Sequence, residues 1–337
     1  MIRRRGYLFA DPTICAVEEI PMRVQILISP LTKAAWFDAS LEVAQAELAV
    51  HGHDAAKTVK VGGFEFLEVD AEEQELNSLA RLSFVQGLFA VQGDALVPLD
   101  IEPGFEYPDG LVYGQKYQGK TNELVTQLAL NVGLRSLSSQ VSSGAKRLSL
   151  LDPMAGRGTS LMWALRYGFD ARGVEIDEKA TELFYAHVKK QCKLARLKHR
   201  TESGRIGKVR KQGKFVRFTF GDQKVTMMNG DSRLDSWTEN KRFDLIVTDL
   251  PYGIQHKGDE KRNPLSVVED CAPHWATSLK VGGVMVLVFN AYQTRRADLV
   301  EMFAGQGLEV QAFTAPHRMS ESIIRDLIVF RHSSSVD

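Results

Sequence analysis

The chain has 337 residues, which exceeds the usual size of a single domain and favours two compact domains. Its hydrophobic fraction of 44% and charged fraction of 25% exclude a disordered or fibrous protein. No apolar stretch reaches the roughly 18 residues that a membrane-spanning helix needs, and the first residues lack the apolar core of a signal peptide. We therefore expect a soluble cytoplasmic protein without a membrane partner.

The formal net charge is zero, but the charge is unevenly distributed along the chain. Residues 189–224 contain thirteen Lys or Arg against two acidic residues, so this segment is +11 and the remainder is −11. A basic segment of this size favours contact with phosphates over a merely solvated face. The three cysteines lie far apart without metal-ligand spacing, which indicates free thiols and no metal site.

The N-terminal part of the chain predicts a small α+β domain. Residues 1–21 carry no motif and are interpreted as an extension, 22–101 as the domain, and 102–115, rich in Gly, Pro and Tyr, as a linker. We expect the helices to pack on one face of the sheet. Apolar periodicity predicts strands at 23–30, 61–69, 88–92 and 95–99, and helices at 37–52 and 72–84.

Residues 116–337 are expected to form a second domain of alternating helices and strands, an α/β fold with a parallel sheet and right-handed crossovers. A basic insertion at 200–224 interrupts the alternation; its first part is expected to be flexible, and the rest predicts a β-hairpin around Gly221. The expected helices are 121–134, 159–167, one from 178, 265–279 and 294–304, and the expected strands are 147–152, 171–177, 243–249, 284–290 and two closing strands.

A glycine-containing turn follows the first strand of this second domain, in the sequence DPMAGRGT. Asp152 ends the strand, Gly156 and Gly158 form the turn, and a helix begins near Thr159. Open α/β sheets bind ligands at this edge, and glycines let the backbone approach a ligand closely. The motif lacks the GK[ST] of a P-loop, and a carboxylate would repel a pyrophosphate. It suits the cationic amino acid end of S-adenosylmethionine.

Two further acidic residues follow the next strands. Glu175 stands at the tip of the second strand, 23 residues after Asp152, where a carboxylate accepts hydrogen bonds from ribose hydroxyls. Asp177 is the less favoured choice for this role. Asp231 follows a later strand and could receive the adenine amino group, although Gly-Asp is also common in ordinary turns.

A second motif, Asp249-Leu250-Pro251-Tyr252, ends the strand at 243–249. The Asp249 carboxylate and a backbone carbonyl held by the following proline can accept both hydrogens of a planar exocyclic amine, so that its lone pair points at a methyl donor. Tyr252 can stack on an extruded base. Catalysis would then be mostly positioning, without a metal.

The two motifs, in this order and 97 residues apart, resemble the amino-methyltransferases that modify guanine N2 in tRNA, a family with a THUMP-associated or ferredoxin-like N-terminal region. The resemblance covers most of residues 115–332. It implies a seven-stranded Rossmann-like class I methyltransferase sheet with one reversed strand, a smaller ferredoxin-like N-terminal α+β domain, S-adenosylmethionine as donor, and an RNA substrate, with tRNA first. Leu250 departs from the family, which usually has DPPY.

The site residues expected from the motifs, the resemblance and the charge pattern fall into three groups. The catalytic residues are Asp249, Leu250, Pro251 and Tyr252. The tract YGQKYQGKTNE resembles the family segment that closes the cofactor pocket, and it adds Lys120 and Thr121 to the cofactor group. The complete cofactor group is Lys120, Thr121, Asp152, Met154, Gly156, Gly158, Thr159, Glu175, Ile176, Asp231, Ser232 and Asp249. The nucleic-acid-binding residues are Lys208, Arg210, Lys211 and Lys214.

Three other functions remain open at this point. A DNA adenine N6 methyltransferase shares both motifs but usually carries a target-recognition domain. A protein glutamine methyltransferase normally has NPPY, whereas this chain has aspartate at the first position. A non-catalytic RNA-binding scaffold would keep only the fold. The sequence also leaves open the modified nucleotide, the oligomeric state and the need for a small activating subunit.

Overall fold

The computed structural model describes residues 21–117, 120–206, 213–234, 241–251, 264–321 and 323–333. In that part of the chain, no helix is both long and apolar enough to cross a bilayer. The elements form two sheets, one antiparallel sheet of five strands near the N-terminus and one mixed sheet of ten strands in the remainder.

The N-terminal sheet has the strand order β2-β3-β1-β4-β5, and every pairing is antiparallel. Buried positions on the central strand, such as Val24 and Ile26, pack in the core with residues of helix α2, such as Leu48. The strands are β1 Met22–Ile28, β2 Lys57–Val61, β3 Phe64–Ala71, β4 Val85–Gln92 and β5 Ala95–Leu99, and the helices are α1 Thr32–Trp36, α2 Ser40–Val50 and α3 Leu76–Ala80.

The strand expected at 61–69 is confirmed for residues 64–69, which belong to β3, whereas its first three residues end β2 and form the turn of a hairpin that was not expected. β2 and β3 pair around Gly62 and Gly63, whose φ angles are +56° and +84°. Only glycine adopts such angles without steric cost, so the two residues permit a tight turn. The alternating pattern continues through the turn into β3, so periodicity alone predicts one strand for this segment.

The second sheet has the order β13-β15-β12-β11-β6-β7-β10-β9-β8, with β14 paired to β15. Its strands are β6 Ser149–Asp152, β7 Asp170–Glu175, β8 Arg200–Arg205, β9 Lys214–Phe220, β10 Gln223–Asn229, β11 Phe243–Asp249, β12 Leu279–Asn290, β13 Leu308–Val310, β14 His317–Ser320 and β15 Ile323–His332. The helices of this part are α4 Gly110–Tyr113, α5 Glu123–Ser136, α6 Ser139–Gly144, α7 Thr159–Arg166, α8 Glu178–Leu194, α9 Pro264–Thr277 and α10 Arg296–Met302.

The five strands β10, β7, β6, β11 and β12 pair in parallel, and β15 runs antiparallel to β12. The expected α/β fold with a parallel centre is therefore confirmed. The sheet has ten strands in the described part of the chain, against the expected seven, and β8, β9 and β14 are the three additional strands.

The basic insertion extends the sheet. β9 and β10 form the expected hairpin, with Gly221 at a φ of +56° in the turn. Residues 200–205, expected to be flexible, instead form β8, which pairs antiparallel with β9. All six residues of β8 are exposed, so this edge strand carries no apolar alternation that the sequence could reveal.

The segment expected to be a linker packs against helix α7. The ring of Phe105 lies 5.7 Å from that of Trp163 and 5.1 Å from that of Tyr167, and Glu106 N donates to Arg166 O over 2.9 Å. One apolar cluster contains buried residues of both sheets, and Phe105 packs against this cluster. The segment is thus a packed connection rather than an extended chain.

Candidate active site

The parallel strands bring the predicted acidic residues to one edge of the sheet. Asp152, Glu175 and Asp249 are the last residues of β6, β7 and β11, and these three strands are consecutive in the sheet order β11-β6-β7. Parallel strands end on the same side, so their carboxylates face one region. The mutual repulsion between Asp152 and Asp249, which contributes to a higher pKa of Asp152, agrees with this proximity.

The glycine turn after β6 has the conformation that its sequence predicts. Gly156 and Gly158 have φ angles of +52° and +83°. A Cβ on Gly158 would lie 2.6 Å from the ring of Phe184, whereas a Cβ on Gly156 would meet no atom within 4 Å. Gly158 thus lets the turn pack on helix α8, and Gly156 keeps the backbone open towards the sheet edge.

Asp152 is buried at the start of this turn, with 4% of its surface exposed. Its carboxylate accepts hydrogen bonds from the Ser160 hydroxyl and, over 3.0 Å, from Met154 N. Burial raises the pKa of Asp152 to about 6, although the hydrogen bonds from Ser160 and Thr248 oppose that rise. A cation placed beside this carboxylate would favour its ionised form.

Glu175 is held by backbone groups of the same turn. Its two carboxylate oxygens accept from Gly156 N over 2.8 Å and from Asp177 N over 2.9 Å. Burial is the largest influence and raises the pKa of Glu175. Each carboxylate oxygen has two acceptor positions, so the residue can also accept hydrogen bonds from a diol. Asp177 caps helix α8 by accepting from Lys179 N, which explains its presence without a ligand role.

Asp231 and Ser232 lie in the loop after β10. Asp231 forms a two-pronged ion pair with Arg233, and this hydrogen-bonded contact lowers the pKa of Asp231. The Ser232 hydroxyl donates to the carbonyl oxygen of Pro153. The loop is therefore tied to the glycine turn, and Asp231 has a salt-bridge partner that an adenine amino group would have to share or displace.

Asp249 is contacted by two side chains from distant parts of the chain. The Thr121 hydroxyl donates to Asp249 Oδ2 over 2.5 Å, and Arg325 Nη2 lies 3.5 Å from the same oxygen. Arg325 is buried near the start of β15, which begins at this edge because it runs antiparallel to β12. The carboxylate is thus fixed by a hydroxyl on one element and a guanidinium on another.

Leu250 replaces the proline that the resembled family usually has, and its backbone is nevertheless fixed. Leu250 N donates to Val288 O over 2.8 Å, a bond that proline could not form. The side chain is 5% exposed and packs in an apolar cluster that includes Trp275. The substitution therefore exchanges a rigid ring for a hydrogen bond and a buried contact.

The segment before helix α5 supplies Thr121 and also anchors itself. Lys120 Nζ donates to Val112 O and Gln115 O, each over 2.9 Å, and pairs with Glu123. These contacts anchor the segment, and the expected role of Lys120 in cofactor binding stays a prediction. Its neighbour Thr121 is the residue of the pair that reaches the site.

Tyr117 connects the same segment to the glycine turn. The guanidinium of Arg157 lies 4.0 Å from its ring centre, and Thr159, the first residue of α7, hydrogen-bonds to it. Burial raises the pKa of Tyr117. The predicted Thr159 thus helps to position the closing segment, which is a contact that sequence reasoning did not anticipate.

The remaining predicted residues are distributed as follows. Met154 is half-buried in the glycine turn, and Ile176 is 57% exposed after Glu175, where it offers an apolar surface. Lys214 pairs with Glu178 at the start of helix α8. Tyr252, Lys208, Arg210 and Lys211 lie outside the described residues.

Two residues at this edge were missed. Asn229 ends β10 and donates to the carbonyl oxygens of Glu175 and Ile176 over 3.2 and 3.0 Å, which fixes the strand tip. Arg325 contacts Asp249 from the last strand. A polar residue ending an apolar strand could have indicated Asn229, but no local signal connects Arg325 with a residue 76 positions earlier.

The chain matches no protein-family model and no curated protein. Similar solved structures include TrmN from Thermus thermophilus, with 14% identity and a TM-score of 0.41 over 82% of this chain and 59% of that chain. A proposed RNA methyltransferase from Pyrococcus horikoshii has 16% identity and a TM-score of 0.40, over 69% and 92% of the two chains. This chain spans about three fifths of TrmN.

A third similar structure is magnesium protoporphyrin IX methyltransferase from Synechocystis, with bound S-adenosylmethionine. It has 16% identity and a TM-score of 0.39, over 66% of this chain and 88% of that chain. The proteins named among these structures differ in what they act on. The function must therefore be inferred from the site itself.

Proposed function

We propose that this protein is an S-adenosylmethionine-dependent methyltransferase that acts on an exocyclic amine of a nucleobase, with guanine N2 in RNA, and tRNA in particular, as the first candidate. The observation that carries the proposal is the convergence of Asp152, Glu175 and Asp249 on one sheet edge. Two of these carboxylates suit a donor with a cationic end and a ribose. The third suits a planar amine.

The residues at the edge fit the methyl donor. The buried carboxylate of Asp152 suits an ammonium group, and the open space above Gly156 allows a ligand to approach the backbone. Glu175 can accept hydrogen bonds from the two ribose hydroxyls, and Ile176 offers apolar surface to a flat ring. When bound, the sulfonium of the donor supplies an electrophilic methyl group.

Asp249 would orient the acceptor amine. Its carboxylate, held by Thr121 and Arg325, would accept a hydrogen bond from the amine, and the Leu250 carbonyl would accept a second one. The nitrogen lone pair then points towards the donor. Holding both partners in line contributes up to roughly 7–11 kcal/mol in favourable cases. Pro251 and Tyr252 complete the proposed group, with Tyr252 stacking on the base.

The rest of the fold agrees with an RNA substrate. We interpret the seven strands β10-β7-β6-β11-β12-β15-β13 as the class I methyltransferase sheet, and the order β2-β3-β1-β4 of the small sheet as ferredoxin-like with β5 added. The domains are assigned as 22–101 and 116–337, with the basic insertion at 200–224. That insertion would supply salt-dependent affinity for phosphates.

Incubation with labelled S-adenosylmethionine and separate tRNA, ribosomal RNA, DNA and protein fractions tests the proposal. Label should enter RNA, and mass spectrometry of the digested RNA should show N2-methylguanosine. Label that enters only DNA or only protein would favour an adenine N6 or a glutamine methyltransferase instead. No transfer to any fraction, with RNA binding retained, would favour a non-catalytic scaffold.

A further inference from the structure

A cavity lies outside the residues assigned to methyl transfer. It has a volume of about 450 Å³ and is bounded by helix α8 and by strands β8, β9 and β10. Its size falls within the range of ligand-binding pockets. The cavity exists because the insertion adds β8 and β9 beyond the parallel strands and thereby extends the surface that α8 faces.

The cavity is adjacent to the proposed cofactor edge. Asn229 lines it and also donates hydrogen bonds to the carbonyl oxygens of Glu175 and Ile176. A group bound in the cavity would therefore lie next to the site of chemistry without occupying it. Asn229 forms the boundary between the two sites.

Aromatic side chains give the cavity flat apolar walls. Phe215 lines it from β9, and a Cβ on Gly204 would lie 2.9 Å from the Phe215 ring, so glycine at this position leaves room for the ring. Tyr185 lines it from α8 and is half-buried. Flat aromatic walls favour a planar ring, because stacking requires only a π-face.

A buried polar group in the wall points to a ligand with a polar edge. Thr181 lines the cavity with 6% of its surface exposed, and its hydroxyl has no hydrogen-bond partner among the described residues. A buried hydroxyl without a partner is unfavourable, so a ligand that supplied a hydrogen bond would relieve it. A nucleobase combines both features, because it is a planar ring with hydrogen-bond donors and acceptors on its edge.

Two acidic and two basic side chains line the cavity, Glu178 and Glu182 with Arg205 and Lys214, and the two cations can contact the phosphates that accompany such a base. Arg205 and Lys214 lie among its lining residues, within the segment of thirteen cations. Lys214 pairs with Glu178, which also lines the cavity, so its cation is held at that position. We infer that the cavity binds an unstacked nucleobase of the RNA substrate, next to the base that is methylated; the inference rests on the proposed function.

Filling the cavity from the edge strand tests this inference. Ser203→Trp places a large ring at an exposed position that lines the cavity, whereas Thr201→Trp places it on the same face of β8, at an exposed position outside the cavity. Affinity for a single-stranded RNA oligonucleotide should fall about tenfold in the first variant. It should stay near that of the wild type in the second. The dependence on salt should be unchanged in both, because no phosphate contact is removed.

A second variant removes an aromatic wall without filling the space. Tyr185→Leu should weaken RNA binding in the same direction, with the affinity for S-adenosylmethionine unchanged. Equal RNA affinities of Ser203→Trp, Tyr185→Leu and the wild type would overturn the inference alone. Loss of donor affinity without loss of RNA affinity would assign the cavity to the cofactor and also overturn it. A wild-type protein that binds no RNA would refute the proposed function itself.

Discussion

Gly156 and Gly158 both have positive φ angles, but their surroundings differ. Gly158 packs against the ring of Phe184, where any side chain would collide, while Gly156 borders open space at the sheet edge. Gly158 is therefore a packing position, and we propose Gly156 as the position where a ligand approaches the backbone. Both glycines look alike in the sequence GRG, because the local sequence does not show that Phe184 of α8 packs against only one of them.

Alanine at each glycine separates these two tasks. Gly156→Ala should cost about 1–2 kcal/mol of unfolding free energy from the left-handed conformation and should strongly reduce donor affinity. Gly158→Ala adds a collision to that strain and should cost roughly 2–5 kcal/mol. Denaturant unfolding and calorimetric titration with S-adenosylmethionine measure the two effects. A larger loss of stability in Gly156→Ala than in Gly158→Ala would contradict these assignments.

Single residues were predictable from sequence where a strand end marked them. Asp152, Glu175 and Asp249 each follow an apolar strand, and parallel strands bring such ends together. Thr121 and Arg325 reach Asp249 only through tertiary packing, over 128 and 76 positions of sequence. The family resemblance indicated Thr121, whereas nothing in the sequence indicated Arg325.

At the scale of elements, a buried polar cluster joins helix α2 to helix α5. Glu47 of α2 is fully buried and accepts hydrogen bonds from Ser83 N, the Ser83 hydroxyl and, over 2.7 Å, from Asn131 Nδ2 of α5. Tyr167 extends the cluster by donating to Asn131 Oδ1 over 2.5 Å. Burial raises the pKa of Glu47 to about 7. We therefore expect the junction between the small sheet and the large one to depend on the protonation of Glu47.

Glu47→Gln should change stability in a pH-dependent way. The pKa of Glu47 is higher in the folded state, so its stabilising protonated form is fully present below about pH 4.5 and is lost as the pH rises towards 7. A shift of this size corresponds to about 3 kcal/mol. Glutamine keeps a neutral side chain at every pH. The unfolding free energy of the variant, relative to that of the wild type, should therefore increase from pH 5 to pH 8.

Denaturant unfolding at pH 5 and pH 8 measures this difference, with Glu42→Gln as the control. Glu42 is exposed on the same helix, so its replacement should have the same small effect at both pH values. If Glu47→Gln also changed stability equally at both pH values, ionisation of Glu47 would have no part in the stability of the junction.

Elements were predictable where apolar periodicity was strong and continuous. The central strands and long helices α5, α8 and α9 lie within a few residues of their expected positions. β8 was missed because its residues are all exposed, and β14 because its sequence, HRMS, has no apolar alternation. The hairpin of β2 and β3 was missed because the alternating pattern continues across the turn at Gly62 and Gly63.

At the scale of the whole molecule, charge is separated along the chain although the total is zero. Simultaneous reversal of Lys208, Arg210 and Lys211 to Glu should weaken RNA binding and reduce the slope of affinity against salt concentration. A control with the same change in total charge uses three exposed cations at the edge of the sheet opposite to Asp152 and Asp249. They precede β6 and β11 and are Lys146, Lys241 and Arg242. Binding curves at several salt concentrations distinguish the two sets. Equal slopes in both triple variants would mean that only total charge matters.

The fold class of the whole molecule followed from the alternation of strands and helices, and the sheet edge that carries the site followed from the fold class. The packing of residues 102–115 onto α7 did not follow from the sequence. Gly and Pro indicate a break in periodicity, but they do not indicate which contacts the segment makes. Phe105 belongs to the aromatic core around Trp163 and Tyr167 although it lies in a stretch with the composition of a linker.

The most direct test of the account is Asp249→Ala, measured for both donor affinity and turnover. Because Asp249 should contact the acceptor amine, calorimetry should show nearly unchanged binding of S-adenosylmethionine, while methyl transfer to RNA falls by about a hundredfold or more. Loss of donor affinity would contradict the assigned role of this carboxylate, and so would retained turnover.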